Sequence, residues 1–207
     1  MITANDALER LALGNQRFLK GEGERDLDFE HARRLELVDE QAPFAIVLGC
    51  SDSRVPLELI FDQGLGDLFV IRVAGNVVSP SQIGSIEFAA GKFGTPLVVV
   101  MGHTHCGAVA AAVEHLVSGG EVPTPHLGFI VEKIRPAVES VRAANPDLGA
   151  DELVAESTRE NVRQTVSALK SASDLLGSRL EKGLLTIVGA EYSLETGCVE
   201  FLENPGE

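Results

Sequence analysis

The sequence predicts an α/β protein: a mostly parallel central sheet of about four strands with an antiparallel edge strand, flanked by helices and preceded by an N-terminal helical arm. Three observations carry that prediction. The runs Phe44–Gly49 and Leu97–Met101 are continuously apolar and rich in β-branched residues, as strands covered on both faces are. Strand-like and helix-like segments alternate along the chain, the pattern that right-handed crossovers build. No repeat, low-complexity stretch or linker divides the 207 residues, so a single domain spans 1–207.

Taken in order, an amphipathic helix from about Asn5 to Lys20 carries Leu8, Leu11, Phe18 and Leu19 on or near one face, and a second runs from about Phe29 to Gln41. Two apolar helices ahead of the first core strand have no obvious place in a compact monomer, so residues 1–41 read as an arm packing on a partner subunit. The first strand ends at Gly49, and Pro56 opens a short helix, where proline is tolerated in the first turn. Leu68–Ile71 is the second strand, Ser81–Phe93 a helix, and Leu97–Met101 the third strand, feeding an Ala-rich helix that begins at Cys106-Gly-Ala. A Gly/Pro-rich stretch from Ser118 to Pro125 reads as the most mobile loop. Helices follow over about Gly128–Ala144 and Ala150–Leu180, then a fourth strand at Leu184–Val188. Tyr192–Gly197 reads as a turn into an edge hairpin with Cys198–Leu202.

A formal charge of −14 argues against nucleic acid or an anionic membrane as partner, since both call for basic patches. The N-terminus Met1-Ile-Thr-Ala-Asn-Asp-Ala has neither a basic start nor an apolar stretch, and no run approaches the roughly 20 apolar residues that span a bilayer. Three cysteines with reduced-thiol roles fit the cytoplasm. Cys198, in an alternating strand, reads as a packed small residue.

Two segments carry chemistry: Cys50-Ser-Asp-Ser-Arg54 and His103-Thr-His-Cys106. Each follows an apolar strand, and open α/β sheets place their sites at strand C-terminal ends. Two soft sulfurs and one imidazole suit Zn²⁺, and three protein ligands leave a fourth position for water or substrate, which favours a catalytic site over a structural one. Taken singly, each cysteine reads as a small buried hydrophobe; the combination favours metal. Of the two histidines, His103 lies in the strand-to-helix turn, three residues from Cys106, so both side chains can reach one ion. His105, adjacent to Cys106, points elsewhere. Two thiolates cancel the charge of the metal and leave bound water less acidic. Asp52 can compensate by accepting the hydrogen of zinc-bound hydroxide, with Arg54 holding its carboxylate in a bidentate pair. Should Arg54 let go, Asp52 is near enough to become the fourth ligand in a closed state.

The strings Gly49-Cys-Ser-Asp-Ser-Arg-Val-Pro56, Ile60–Val70, Arg72-Val-Ala-Gly-Asn76 and Gly102-His-Thr-His-Cys-Gly-Ala108 resemble the β-class carbonic anhydrases, and the resemblance covers nearly the whole chain. It implies one Zn²⁺ per chain on Cys50, His103 and Cys106, with Asp52 and Arg54 as the catalytic dyad of reversible CO₂ hydration to bicarbonate and a proton. It also implies that Gln41 binds substrate, that Phe69 and Phe88, core residues by periodicity, wall a CO₂ pocket across a dimer interface, and that the chain forms a homodimer or a dimer of dimers. Gly107, at a helix N-terminus, could present its N–H to an anionic oxygen. COS or CS₂ hydrolysis on the same scaffold is the alternative reading.

Overall fold

The computed structural model describes residues 2–23 and 27–202. Among these residues five strands form one sheet: β1 (Ala45–Gly49), β2 (Leu68–Arg72), β3 (Leu97–His103), β4 (Thr186–Tyr192) and β5 (Val199–Phe201), in the order β2-β1-β3-β4-β5. The first four are mutually parallel and β5 runs antiparallel along β4. Every residue of β1 and β3 is buried, as their unbroken apolar runs require.

Helix α1 (Ala4–Lys20) begins with a capping box between Thr3 and Asp6 and ends on Gly21. It has a place in its own chain. Ala7 and Leu11 are fully buried in a cluster with Val47, Val99 and Met101. The buried Asn15 amide donates to the carbonyls of Ile60 and Gly197 and accepts from Val199 N–H, pinning α1 across the sheet end. Any surface it offers a second subunit is therefore its outer face, where Leu13, Phe18 and Leu19 remain exposed. Helix α2 (Leu27–Glu36) stops short of the expected end: Val38 and Asp39 are poor helix formers and Pro43 disfavours helical backbone before it, so Gln41 lies in the extended lead into β1.

The short α3 (Leu57–Ile60) follows Pro56, and α4 (Pro80–Phe88) passes into a π turn over Ala89–Phe93 rather than running straight on. Helices α5 (Gly107–Ser118) and α6 (Pro125–Ala144) flank the loop at 119–124. The single long helix expected after Ala150 is two, α7 (Ala150–Lys170) and α8 (Asp174–Glu181), because the Ser173 hydroxyl accepts from Leu176 N–H and starts a new helix. Helix α7 lies against β3 and β4 where Gly102 and Gly189 leave a hole for Val162: a Cβ on either glycine would fall 2.7 or 2.8 Å from a Val162 methyl.

Strands β3 and β4 extend further than the apolar runs suggest. His103 is the last residue of β3, paired with Tyr192 at the end of β4, and Thr104 N–H continues the ladder to the Tyr192 carbonyl. Cys198 is exposed rather than packed, because it lies in the connection just ahead of the short edge strand β5 and not within a strand. Among the described residues no helix is long and apolar enough to cross a membrane.

Candidate metal centre

Cys50 directly follows β1, His103 ends β3 and Cys106 caps α5, so adjacent parallel strands deliver all three to one end of the sheet. Their ligand atoms lie within 4.8 Å of one another, and all three side chains are buried. Between His103 and Cys106 the chain reverses through His105 at φ 54°, a left-handed conformation histidine tolerates better than most residues. That reversal, rather than a position of His103 within the turn, brings Cys106 back over the strand end.

The protonation pattern suits a cation. The Thr104 carbonyl can only accept, so the 2.8 Å contact from His103 places the proton on Nδ1. Nε2 is left buried and, among the described residues, without a hydrogen-bond partner, within reach of the sulfurs. Burial opposes a charge on His103, yet the nearby Cys50 sulfur, the Thr104 carbonyl and Asp52 raise its pKa. The two sulfurs are coupled: Cys106 draws the Cys50 thiol beside it below the ordinary range, while Cys50 and burial push Cys106 above it. An orphaned imidazole nitrogen beside a thiol–thiolate pair is a soft, electron-rich donor set that fits Zn²⁺.

Asp52 and Arg54 stand at the rim. Asp52 Oδ1 accepts from Arg54 N–H and Nε, both at 2.9 Å, while Oδ2 accepts from Nη2 at 2.8 Å. The backbone contact is an Asx turn, the reason Asp serves two residues before Arg. The Arg54 side-chain bonds hold Asp52 well below the usual carboxylate range. Oδ2 also lies 3.8 Å from His103 Nε2, so the carboxylate borders the space between the donors. Arg72 steadies the segment from below, donating to the carbonyls of Cys50 and Asp52.

Other expected residues are not gathered here. Gln41 is exposed and lines a separate cavity of about 460 Å³ with Leu37, Val38, Phe88, Lys92 and Phe93. Phe88 is 49% exposed rather than a core residue, since α4 turns it outward. Its ring meets Phe69 and Phe93 at centroid distances of 6.3 and 5.5 Å. Gly107 is the first residue of α5, beside Cys106.

Sequence reasoning passed over a second layer. Glu195 accepts from the hydroxyls of Thr104 (2.8 Å) and Ser193 (3.1 Å) and contacts His105 Nε2 at 2.5 Å; the Thr104 bond leads in lowering its pKa to about 2. The Gly75 N–H reaches Cys50 Sγ at 3.4 Å. Neither contact has a signature in spacing, because both link residues from distant segments.

Residues 45–199 match the carbonic anhydrase family profile. The chain is a β-class carbonic anhydrase. It is 39% identical to a carbonic anhydrase of Mycolicibacterium smegmatis over 201 residues, covering 97% of this chain and 94% of that protein. Identity is 38% to carbonic anhydrase 2 of Mycobacterium tuberculosis, covering 92% and 89%. Among solved structures, the β-carbonic anhydrase CafA of Aspergillus fumigatus superposes with a TM-score of 0.74 at 32% identity, covering 85% of this chain and 83% of that one. The β-carbonic anhydrase CcaA gives 0.74 at 28% identity, covering 95% of both chains.

Proposed function

We propose that the chain catalyses the reversible hydration of CO₂ to bicarbonate and a proton at a zinc ion held by Cys50, His103 and Cys106. One observation carries the reading: in a β-class carbonic anhydrase, two buried sulfurs converge with an imidazole nitrogen that has no hydrogen-bond partner among the described residues. A Zn²⁺ ion bound there supplies Lewis acidity that makes water a usable nucleophile near neutral pH. The protein's own residues do the rest. Asp52, kept ionised and turned by Arg54, accepts a hydrogen bond from the attacking oxygen and aims its lone pair at the substrate carbon. Gly107, the first residue of α5, supplies a helix N-terminal N–H to donate to the developing negative oxygen.

Gln41, Phe69 and Phe88 act in substrate binding once two copies of the chain associate. The exposure of Phe88 and Val38 beside the Gln41 cavity supports a shared interface there, in a homodimer or a dimer of dimers. The test is stopped-flow CO₂ hydration with zinc-loaded protein, alongside its mass by light scattering. Rapid hydration by a dimer or tetramer is expected. A zinc-loaded protein inert toward CO₂ but active on COS or CS₂ would overturn the substrate assignment, and an active monomer would overturn the shared pocket.

A further inference from the structure

Helix α7 buries polar residues where an amphipathic helix would bury apolar ones: Ser157, Thr158, Asn161 and Thr165 are all under 10% exposed. Packing alone does not call for them, since Val162, Val166 and Leu169 already seat α7 in the core. Asn161 has a specific partner. Its Nδ2 donates to the Gly75 carbonyl at 2.8 Å, across 86 residues of sequence. Gly75 in turn donates its own N–H to Cys50 Sγ.

The Gly75 segment needs holding. It is a single turn, Ala74–Asn76, closed by Asn76 N–H on the Val73 carbonyl, with Gly75 at φ 67°. A Cβ at Gly75 would lie 2.8 Å from Ile134 Cδ1 and 3.2 Å from Ala108 Cβ, so the turn is wedged between α6 and α5 and admits only glycine. Glycine's freedom leaves the direction of its N–H undetermined by its own backbone preferences. The Gly75 carbonyl is part of the Gly75–Asn76 peptide, whose N–H closes the turn on Val73, so the Asn161 bond holds that closing peptide, and the closed turn sets the Ala74–Gly75 peptide that carries the N–H toward Cys50.

We propose that Asn161 is a positioning residue for the metal centre, holding the Ala74–Asn76 turn closed so that the Gly75 N–H stays on the Cys50 sulfur. The consequence is electronic. An N–H donor on a ligating sulfur withdraws electron density from it, so the sulfur gives less charge to the metal and the metal keeps more of its Lewis acidity. In a site where two thiolates offset the metal's charge, that adjustment bears directly on the chemistry, and partners of this outer kind typically alter metal affinity by roughly 10- to 100-fold.

This rests on Cys50, His103 and Cys106 binding metal, and the experiment separates the two. The ¹⁵N-labelled full chain is loaded with ¹¹³Cd²⁺, and uptake is read from thiolate-to-metal charge-transfer absorption. Scalar coupling between ¹¹³Cd and amide protons is then measured in wild type, Asn161→Asp, which keeps the side chain's shape, Asn161→Ala and Thr165→Val, one turn along the same buried face. The expected result is coupling at the Gly75 amide in wild type and Thr165→Val, lost in both Asn161 variants, with a zinc affinity weakened by roughly tenfold or more in those two. Cadmium uptake without coupling at Gly75 overturns this inference alone, whereas no uptake overturns the metal reading and the inference with it. Coupling that survives in the Asn161 variants, or disappears equally in Thr165→Val, also overturns it. So does failure of both Asn161 variants to reach the wild-type circular dichroism, which would make Asn161 a folding determinant.

Discussion

Replacing Asp52 with asparagine separates a catalytic carboxylate from an ion pair at the protein surface. The asparagine carbonyl can keep the two bonds that Oδ1 accepts from Arg54 N–H and Nε, but its amide then meets Arg54 Nη2 donor to donor, where Oδ2 had accepted at 2.8 Å. The structural loss is small. Arg54 is 54% exposed, and pairs of that kind contribute no more than about 1 kcal/mol. In a domain of this size that is a drop of about 2–4 °C in melting temperature. The catalytic loss is larger: a positioned hydrogen-bonding or proton-accepting group accounts for about 10²-fold or more in rate, and about 10²-fold is ~2.7 kcal/mol of barrier. Stopped-flow hydration at matched zinc content, beside thermal melts, reads both quantities. We expect kcat/KM to fall at least about 100-fold while Tm falls by no more than about 4 °C. A loss in kcat/KM of under about tenfold in zinc-replete protein would show Asp52 to be a surface ion pair and nothing more.

Three further outcomes follow from the same geometry. Gly75→Ala forces a left-handed residue against Ile134 and should cost about 2 kcal/mol or more, a Tm drop of about 4–8 °C, with reduced zinc content by atomic absorption; wild-type stability would contradict the wedged turn. Thiol titration of zinc-loaded protein should give one fast-reacting group, the exposed Cys198, with the buried Cys50 and Cys106 reacting only after chelation; three fast thiols at the outset would contradict the site. Burial raises the pKa of Glu191 against the pull of Arg159, so the native state holds that proton more tightly than the unfolded state. The resulting stability is fully present below the unfolded glutamate pKa and is lost as pH rises through the folded one. Urea midpoints from about pH 4 to pH 7 should therefore fall for wild type relative to Glu191→Gln, and a pH-independent difference between them would refute this.

The order of strands and helices was legible because burial on both faces leaves its mark in composition. Phe44–Gly49 and Leu97–Met101 read as core strands because they are short, unbroken apolar runs rich in β-branched residues, and the alternation with helices supplies the parallel topology. What periodicity misplaced were boundaries decided by partners. β3 runs on through Gly102 and His103 because β4 offers Ala190 to Tyr192 alongside, although neither glycine nor histidine favours a strand. The break between α7 and α8 was present as a capping serine before an aspartate, a local signal outweighed by the apolar period on either side. The place of α1 on its own sheet depends on Asn15, a polar residue in an apolar stripe, whose three bonds end on backbone from two distant segments.

The site divides along the same line. Cys50, His103, Cys106, Asp52 and Arg54 were readable because they sit within a few residues of strand ends, and strand ends converge by topology. Gln41 and Phe88 were not placed with them, and a single chain does not bring them there: they share a cavity of their own, with apolar surface beside it, as expected of groups that a second copy would complete. The contacts that surround the five central residues were invisible for a different reason. Glu195 reaches Thr104 and His105 from 90 or more residues away, and Asn161 reaches Gly75 from 86, each through a single hydrogen bond to a residue whose own neighbours in sequence say nothing about it. Candidate ligands can be read from donor chemistry, which is local. The contacts around them join side chains, amides and carbonyls from distant segments, so only the fold decides which of those atoms meet.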